Sequence, residues 1–338
     1  MFMNYRFFAD TGVEVSELAM GTQTWGWGAD VKTSHEIADR FVEAGGNFFD
    51  TANIYNDGVS EKMLGSWLKK KGHRDRLFIS SKVFFPVGDE ANQSGLSRKH
   101  MLQSVEESLG RLQTDYIDLY QAHCFDYTAR LEETLRVFSG LITSGKVRFV
   151  GVSNWLPSQL MKGIQICRDN RWAPIVSLQA EYSLLVREAE WELLPLCREE
   201  NLGFMAWSPL AGGWLTAKYR RDRPPPENSR VGRKDRWDDQ PEQRASELTW
   251  KIIDALLDVS KTSGKTPAQI ALNWVLQQPG RAVPILGVRT VDQLKDNIGC
   301  TGWSLNREEL EILSAASSIP LPYPHRFVAR YAKRYDTG

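Results

Sequence analysis

Short apolar runs recur along this chain, each ended by a polar residue and followed by a stretch of helical periodicity, and that alternation leaves few folds open to it. Gly46-Asn47-Phe48-Phe49-Asp50 ends on a carboxylate, Leu77-Phe78-Ile79-Ser80-Ser81-Lys82 on an ammonium, and Tyr116-Ile117-Asp118-Leu119-Tyr120-Gln121-Ala122-His123 on an imidazole. Continuous apolar runs of this length fit strands buried on both faces, as in a parallel sheet. Strands are expected near 18–21, to Asp50, to Lys82, to His123, and at 147–153, 175–179, 203–207 and 281–286. Helices are expected near 34–44, 61–70, 99–112, 131–144 and 156–170, the first with Thr33 or Ser34 as N-cap and Gly45-Gly46 as its stop. Eight strands separated by helices imply parallel βαβ units, and the fold class read from them is α/β, a (β/α)8 TIM barrel. An N-terminal β-hairpin over Phe7 to Val13 precedes the repeat, turning at Asp10 to Gly12. A polar stretch at 218–240, a C-terminal helix near 308–317 and a Pro-rich tail lie outside it.

In such a barrel the C-terminal ends of the strands meet at one face, where catalysis is built. Polar residues ending three separate strands therefore point to a site, because the core would exclude them. Asp50, Lys82 and His123 are those residues, and Tyr55 follows in Asp50-Thr51-Ala52-Asn53-Ile54-Tyr55. Singly, each has a plainer reading: a cap, rim packing, a solvated charge, a satisfied core histidine.

Composition fits one barrel domain over the 338 residues, with 42% hydrophobic and 25% charged. Lys+Arg 42 against Asp+Glu 42 leaves no net charge, which argues against bulk nucleic-acid binding. No apolar run approaches the ~18 residues of a membrane span, and Met1 to Asp10 lacks the pattern of a secretory leader. Cys124, Cys167, Cys197 and Cys300 form no CxxC pair and read as reduced cytoplasmic thiols; no metal site is expected.

For a cofactor, no GxGxxG follows a strand, so no Rossmann dinucleotide site is expected. Gly287-Val288-Arg289 instead leads into a helix carrying Gln293, Asp296 and Asn297. The start of that helix can hold a phosphate by its N–H groups, and Arg289 can grip one with two donors, which favours NADPH. A bare arginine at a helix N-terminus is disfavoured by the dipole, which strengthens the anion reading. Trp25, Trp27, Phe84, Phe85, Phe125 and Trp155 all follow strand ends and are candidates for an aromatic substrate pocket.

Six runs carry a resemblance: Phe49-Asp50-Thr51-Ala52 with Tyr55, Ser81-Lys82, Ala122-His123, Gly151-Val152-Ser153-Asn154, Trp207-Ser208-Pro209-Leu210 and Ile285-Leu286-Gly287. Over nearly its whole length the chain resembles the aldo-keto reductases. Gln179-Ala180-Glu181-Tyr182 and Trp207-Ser208-Pro209-Leu210-Ala211 resemble the branch that holds potassium-channel β-subunits and bacterial relatives. The resemblance implies a barrel that binds NADPH, less often NADH, and reduces carbonyls. It implies Tyr55 as general acid, with the Lys82 ammonium drawing the phenol pKa down from ~10. Asp50 would keep Lys82 charged, and His123 would hydrogen-bond the substrate oxygen. Thr22 and Gln23 fall on the nicotinamide side. Trp207 would stack on the nicotinamide, with Ser153, Asn154 and Gln179 at its carboxamide. Ser208, Pro209, Leu210 and Gly212 would cradle the pyrophosphate, Lys218 and Arg230 closing over it. Asp296 and Asn297 would contact adenine, Gln293 the ribose-phosphate region, and Gly287 lies at the adjoining strand end.

Two function classes follow: a reductase acting on a small carbonyl, and a channel-β-like module that holds NADPH and reports redox state. The channel subunits carry another residue at the histidine position, so His123 favours the enzyme. Partners expected are a small-molecule carbonyl and possible homo-oligomers, with no nucleic acid and no membrane insertion. His325 to Tyr331 is left two placements, over the pocket or at an oligomer contact.

Overall fold

The computed structural model describes residues 3–222, 224–232, 244–280 and 282–331. Among the described residues there are ten strands: β1 (Tyr5–Phe7), β2 (Glu14–Ser16), β3 (Ala19–Gly21), β4 (Phe48–Asp50), β5 (Phe78–Val83), β6 (Ile117–Ala122), β7 (Val147–Ser153), β8 (Ile175–Glu181), β9 (Gly203–Trp207) and β10 (Val283–Gly287). β1 and β2 form an antiparallel hairpin, and β3 to β10 close a barrel in sequence order, with β10 beside β3. Every barrel pair is parallel. The chain is therefore a (β/α)8 barrel whose helices lie outside the strands.

Period-two alternation sorts each strand into inward and outward residues. Outward residues such as Phe49, Ile79 and Tyr120 pack against the helices in one large buried layer. Ala19, Phe48, Phe78, Leu119, Met205, Val283 and Ile285 point inward and fill the lower barrel. The hairpin closes that end. Phe8 enters beneath Phe48 and Phe78 with ring centroids 5.5 and 5.4 Å away. Gly203 leaves room for it, since a Cβ there would lie 2.6 Å from the Phe8 ring. Phe8→Ala removes this plug at the face remote from the strand ends. It is expected to cost about 3–5 kcal/mol of stability, read as a lower urea midpoint with kcat unchanged.

Several boundaries differ from the sequence expectation. The first helix starts at Val31 and not at Ser34: Asp30 is the N-cap, accepting from the Thr33 N–H at 2.8 Å, and Ser34 is buried inside the first turn. The last strand begins at Val283, and Arg281 lies outside the described residues, as do 223 and 233–240 of the polar stretch. Helices at Leu193–Glu199, Glu247–Ser263 and Pro267–Leu276 were not expected. The last two carried legible signals. Ser246 caps one, and Thr266 with Gln269 forms a capping box ahead of Pro267 on the other. The C-terminal helix is Arg307–Ala316, and the Pro-rich tail contains a further short helix, His325–Tyr331.

Candidate active site

The same alternation that fills the lower barrel with apolar side chains carries polar ones inward at its upper end. Two residues above Phe48 is Asp50; above Phe78 come Ser80 and then Lys82. Beyond Leu119 come Gln121 and His123; Ser153 and Trp207 end neighbouring strands on the same side, and Gln179 lies two residues before the end of the strand between them. Tyr55 arrives from the loop after β4. Asn56, Asp57 and Gly58 all take the left-handed conformation (φ 49°, 53° and 80°), which turns the chain back into helix Val59–Lys71. Asn, Asp and Gly tolerate that conformation best.

The four residues meet. The Lys82 ammonium is wholly buried and donates to Asp50 Oδ2 at 2.6 Å, the Thr51 carbonyl at 2.9 Å and Tyr55 Oη at 3.2 Å. Asp50 Oδ1 accepts from Gln179 Nε2 at 3.0 Å, so the carboxylate is held from both sides. The His123 ring stands edge-on to Tyr55 with centroids 5.8 Å apart, and its Nδ1 is buried with no protein partner among the described residues.

Electrostatics assign each proton. Burial works to lower Lys82, but Asp50 and Tyr55 outweigh it and the net shift is upward, so the side chain stays an ammonium. Burial, joined by the Lys82 charge, holds His123 well below the usual histidine value, so the imidazole is neutral. Tyr55 corrects the expectation of a lowered phenol. Burial raises it and the Asp50 charge adds to that rise, while Lys82 lowers it by charge and hydrogen bond; the sum is upward. The phenol is protonated throughout the neutral range.

A cavity of about 650 Å³ extends from this cluster along the barrel top to β10. Asp50, Tyr55 and His123 line one end, with Gln23, Trp27 and Phe85. Ser153, Asn154, Gln179 and Trp207 line its middle. There Asn154, at φ 59°, donates from Nδ2 to the His123 carbonyl and accepts from Trp207 Nε1, both at 3.0 Å. Ser208, Pro209, Leu210 and Gly212 follow, then Lys218, Arg230, Gly287, Arg289, Gln293, Asp296 and Asn297. Ser208, Ala211, Gly212 and Gly213 all have positive φ, between 48° and 96°. A Cβ on Gly213 would fall 2.4 Å from Lys218 Nζ, so the bare backbone admits the cation. Burial and the charges of Arg289 and Arg230 bring Lys218 down to about 8. Asp296 is turned toward the protein, its Oδ1 accepting from Thr266 Oγ1 at 2.9 Å and Gln269 Nε2 at 3.0 Å.

Some predicted site residues lie off the cavity wall. Thr22 is fully buried, donating to the Asp50 carbonyl at 3.2 Å and accepting from Ser60 at 2.7 Å, so it braces the strand ends. Trp25 and Trp155 are buried in the layer between barrel and helices. Phe84 packs on that layer, and Phe125 on Trp155 and Tyr127 at 5.1 and 5.0 Å. Only Trp27 and Phe85 of the six aromatic candidates line the cavity. No described residue of the tail lines it either; His325 instead meets Glu192 at 2.9 Å. Lining residues not foreseen include Thr24, Ile54, Gly213, Thr216, Arg244 and Ala268. Ile54 beside Tyr55 and the Gly-Gly pair offered a signal; Arg244, behind the polar stretch, offered none.

Among the described residues no group of three or more His, Cys, Asp or Glu side chains is placed to hold a metal, and no helix is long and apolar enough to cross a membrane. At the upper end of the barrel strands a buried lysine–carboxylate pair thus stands beside a tyrosine. The chain belongs to the aldo/keto reductase family, which it matches over residues 17–318. It is 37% identical to the uncharacterized oxidoreductase YrpG of Bacillus subtilis (strain 168), covering 92% of this chain and 95% of that one. It is 32% identical to norsolorinic acid reductase of Aspergillus flavus, over 95% of this chain and 82% of that one. With the protein tas of Escherichia coli (strain K12) it shares 32% identity, over 95% of this chain and 100% of that one. The family generally uses nicotinamide cofactors.

Proposed function

We propose that the chain is an NADPH-dependent reductase of aldehydes and ketones, built as a single barrel domain, with Tyr55 as its general acid. The observation that carries this reading is the 3.2 Å contact of Tyr55 Oη with a wholly buried Lys82 ammonium, itself neutralised by Asp50 at 2.6 Å. A carbonyl gains a hydride at carbon and a proton at oxygen. A reduced nicotinamide supplies the hydride. Tyr55 gives its proton to the carbonyl oxygen, and Lys82 stabilises the phenolate left behind. Neutral His123 lies beside that oxygen's place and donates a hydrogen bond to it. Ser153, Asn154, Gln179 and Trp207 would hold the nicotinamide, the left-handed backbone at 208–213 the pyrophosphate, and Gln293, Asp296 and Asn297 the adenosine.

Three cations, Lys218, Arg230 and Arg289, gather at the far end of the cavity, which favours a cofactor with an extra phosphate. Arg289→Ala is expected to weaken NADPH binding about 10- to 100-fold, the range of one charge-assisted contact, and NADH binding much less. Equal losses for the two cofactors would place the 2′-phosphate elsewhere. The sign of the pH effect follows from Lys218. It is charged below about 8 and loses its proton above. NADPH Kd is therefore flat near pH 7 and rises as pH climbs past 8, and Lys218→Met removes that rise. Titration of NADPH by fluorescence between pH 6.5 and 9.5 measures it. Steady-state oxidation of NADPH at 340 nm with a panel of aldehydes and ketones tests the function itself. NADPH binding with no turnover of any carbonyl would replace the reductase with a cofactor-holding module.

A further inference from the structure

Asp126 lies outside the cavity, yet its two carboxylate oxygens serve two different loops. Oδ1 accepts from the Thr128 N–H at 2.8 Å, Thr128 Oγ1 at 2.6 Å and the Ala129 N–H at 3.2 Å. That is an ordinary local turn, in which an aspartate bonds the backbone two and three residues on. Oδ2 takes no part in it. Instead it accepts from the Leu96 N–H at 2.6 Å, in the loop that leaves β5.

The point of attachment matters. Gly95 N–H donates to the Phe84 carbonyl at 2.7 Å and closes the neck of a loop whose second residue, Phe85, lines the cavity. The Phe85 ring stands edge-on to His123 at 4.8 Å. Gly95 has φ +81°, and a Cβ on it would sit 2.6 Å from Asp126 Oδ2, so the close approach of carboxylate to neck needs a glycine there. Thr134 Oγ1 donates to the Leu96 carbonyl at 3.2 Å and braces the same residue from the helix after β6, Leu131–Thr143. Asp126 is buried, so little water competes for Oδ2.

We propose that Asp126 is a positioning residue for substrate: by tying the 84–96 loop to the loop after β6, it sets Phe85 against His123 and fixes the width of the opening through which the carbonyl reaches Tyr55. This rests on the reductase reading above. A loosened neck lets Phe85 leave the His123 edge, which changes the fit of a flat aromatic carbonyl far more than that of a short aliphatic one.

Two variants separate the two oxygens. Asp126→Ser keeps a hydroxyl for the local turn and is too short to reach Leu96; Thr128→Val weakens the turn and leaves Oδ2 in place. The measurement is kcat/KM for 4-nitrobenzaldehyde and for propanal, with NADPH Kd and hydrogen exchange of the 84–96 segment. Asp126→Ser is expected to change the aromatic-to-aliphatic ratio about tenfold, mainly through KM, with NADPH Kd within twofold and faster exchange at Leu96. Thr128→Val is expected to keep the wild-type ratio. A lower melting temperature with an unchanged ratio would make Asp126 merely structural and overturn the proposal. If the wild type reduces neither aldehyde, the reductase reading has failed on its own account. Exchange then decides the tether: faster exchange at Leu96 in Asp126→Ser than in Thr128→Val supports it, and equal exchange overturns it.

Discussion

Tyr55→Phe is expected to lose two or more decades of kcat/KM for every carbonyl tested, while NADPH Kd and the unfolding midpoint stay near wild type. The size follows from the role: a positioned general acid is worth about 10²–10⁴ in rate. Selectivity of the effect follows from geometry. Tyr55 is hydrogen-bonded to the buried Lys82 through its hydroxyl, at 3.2 Å, and its ring, with the Lys82 ammonium 4.9 Å from the centroid, remains packed beside His123 when that oxygen is removed. The pH profile adds a second readout. Burial leaves the phenol raised above its ordinary value and His123 neutral. Neither group changes its charge between pH 6 and 8, so kcat in the reducing direction is flat there and falls only on the alkaline side, as the phenol ionises. Activity that survives in Tyr55→Phe would pass the proton to another donor, with His123 the first to test.

How much of this was legible beforehand depends on where each residue stands relative to a strand. Asp50, Lys82, His123, Ser153, Gln179 and Trp207 sit on or one step past a strand, where period two fixes the direction of the side chain. The structure brings all six together. Trp25, Phe125 and Trp155 lie two or more residues past a strand end, where loop geometry sets direction, and the structure turns them into the packing; Thr22, one step past β3, falls on the outward parity, and Phe84, one step past β5, is turned outward by its loop. Trp25, four residues past Gly21, is fully buried, while Trp27 reaches the cavity. The fold survived such errors because its signal is spread over eight strands. The Tyr55 shift was legible only in part: a cation beside a phenol is visible in sequence, but the burial that outweighs it is not. The Asp126 contact with Leu96 joins residues thirty apart across two loops, and no local pattern announces it.

Lys82→Met is expected to destabilise the chain by about 3–5 kcal/mol, the usual cost of removing one partner of a buried ion pair. The methionine fills most of the lysine's volume, so the loss comes from charge. Asp50 is left in the barrel with Gln179 as its remaining side-chain donor, and the Thr51 carbonyl loses the ammonium as well. Reduction falls too, since no cation then stabilises the Tyr55 phenolate. These two losses have different causes, and the double variant Asp50→Asn/Lys82→Met separates them. With both charges gone, the amide can still accept from Gln179, and most of the stability returns, because replacing a whole buried pair is often near neutral. Activity does not return. Urea unfolding of the two single variants and the double gives the coupling between the residues directly. A Lys82→Met chain that unfolds at the wild-type midpoint would show that the pair is not held as tightly as 2.6 Å implies. If the double variant regained turnover along with stability, Lys82 would be a strut of the barrel and the phenolate would need another partner.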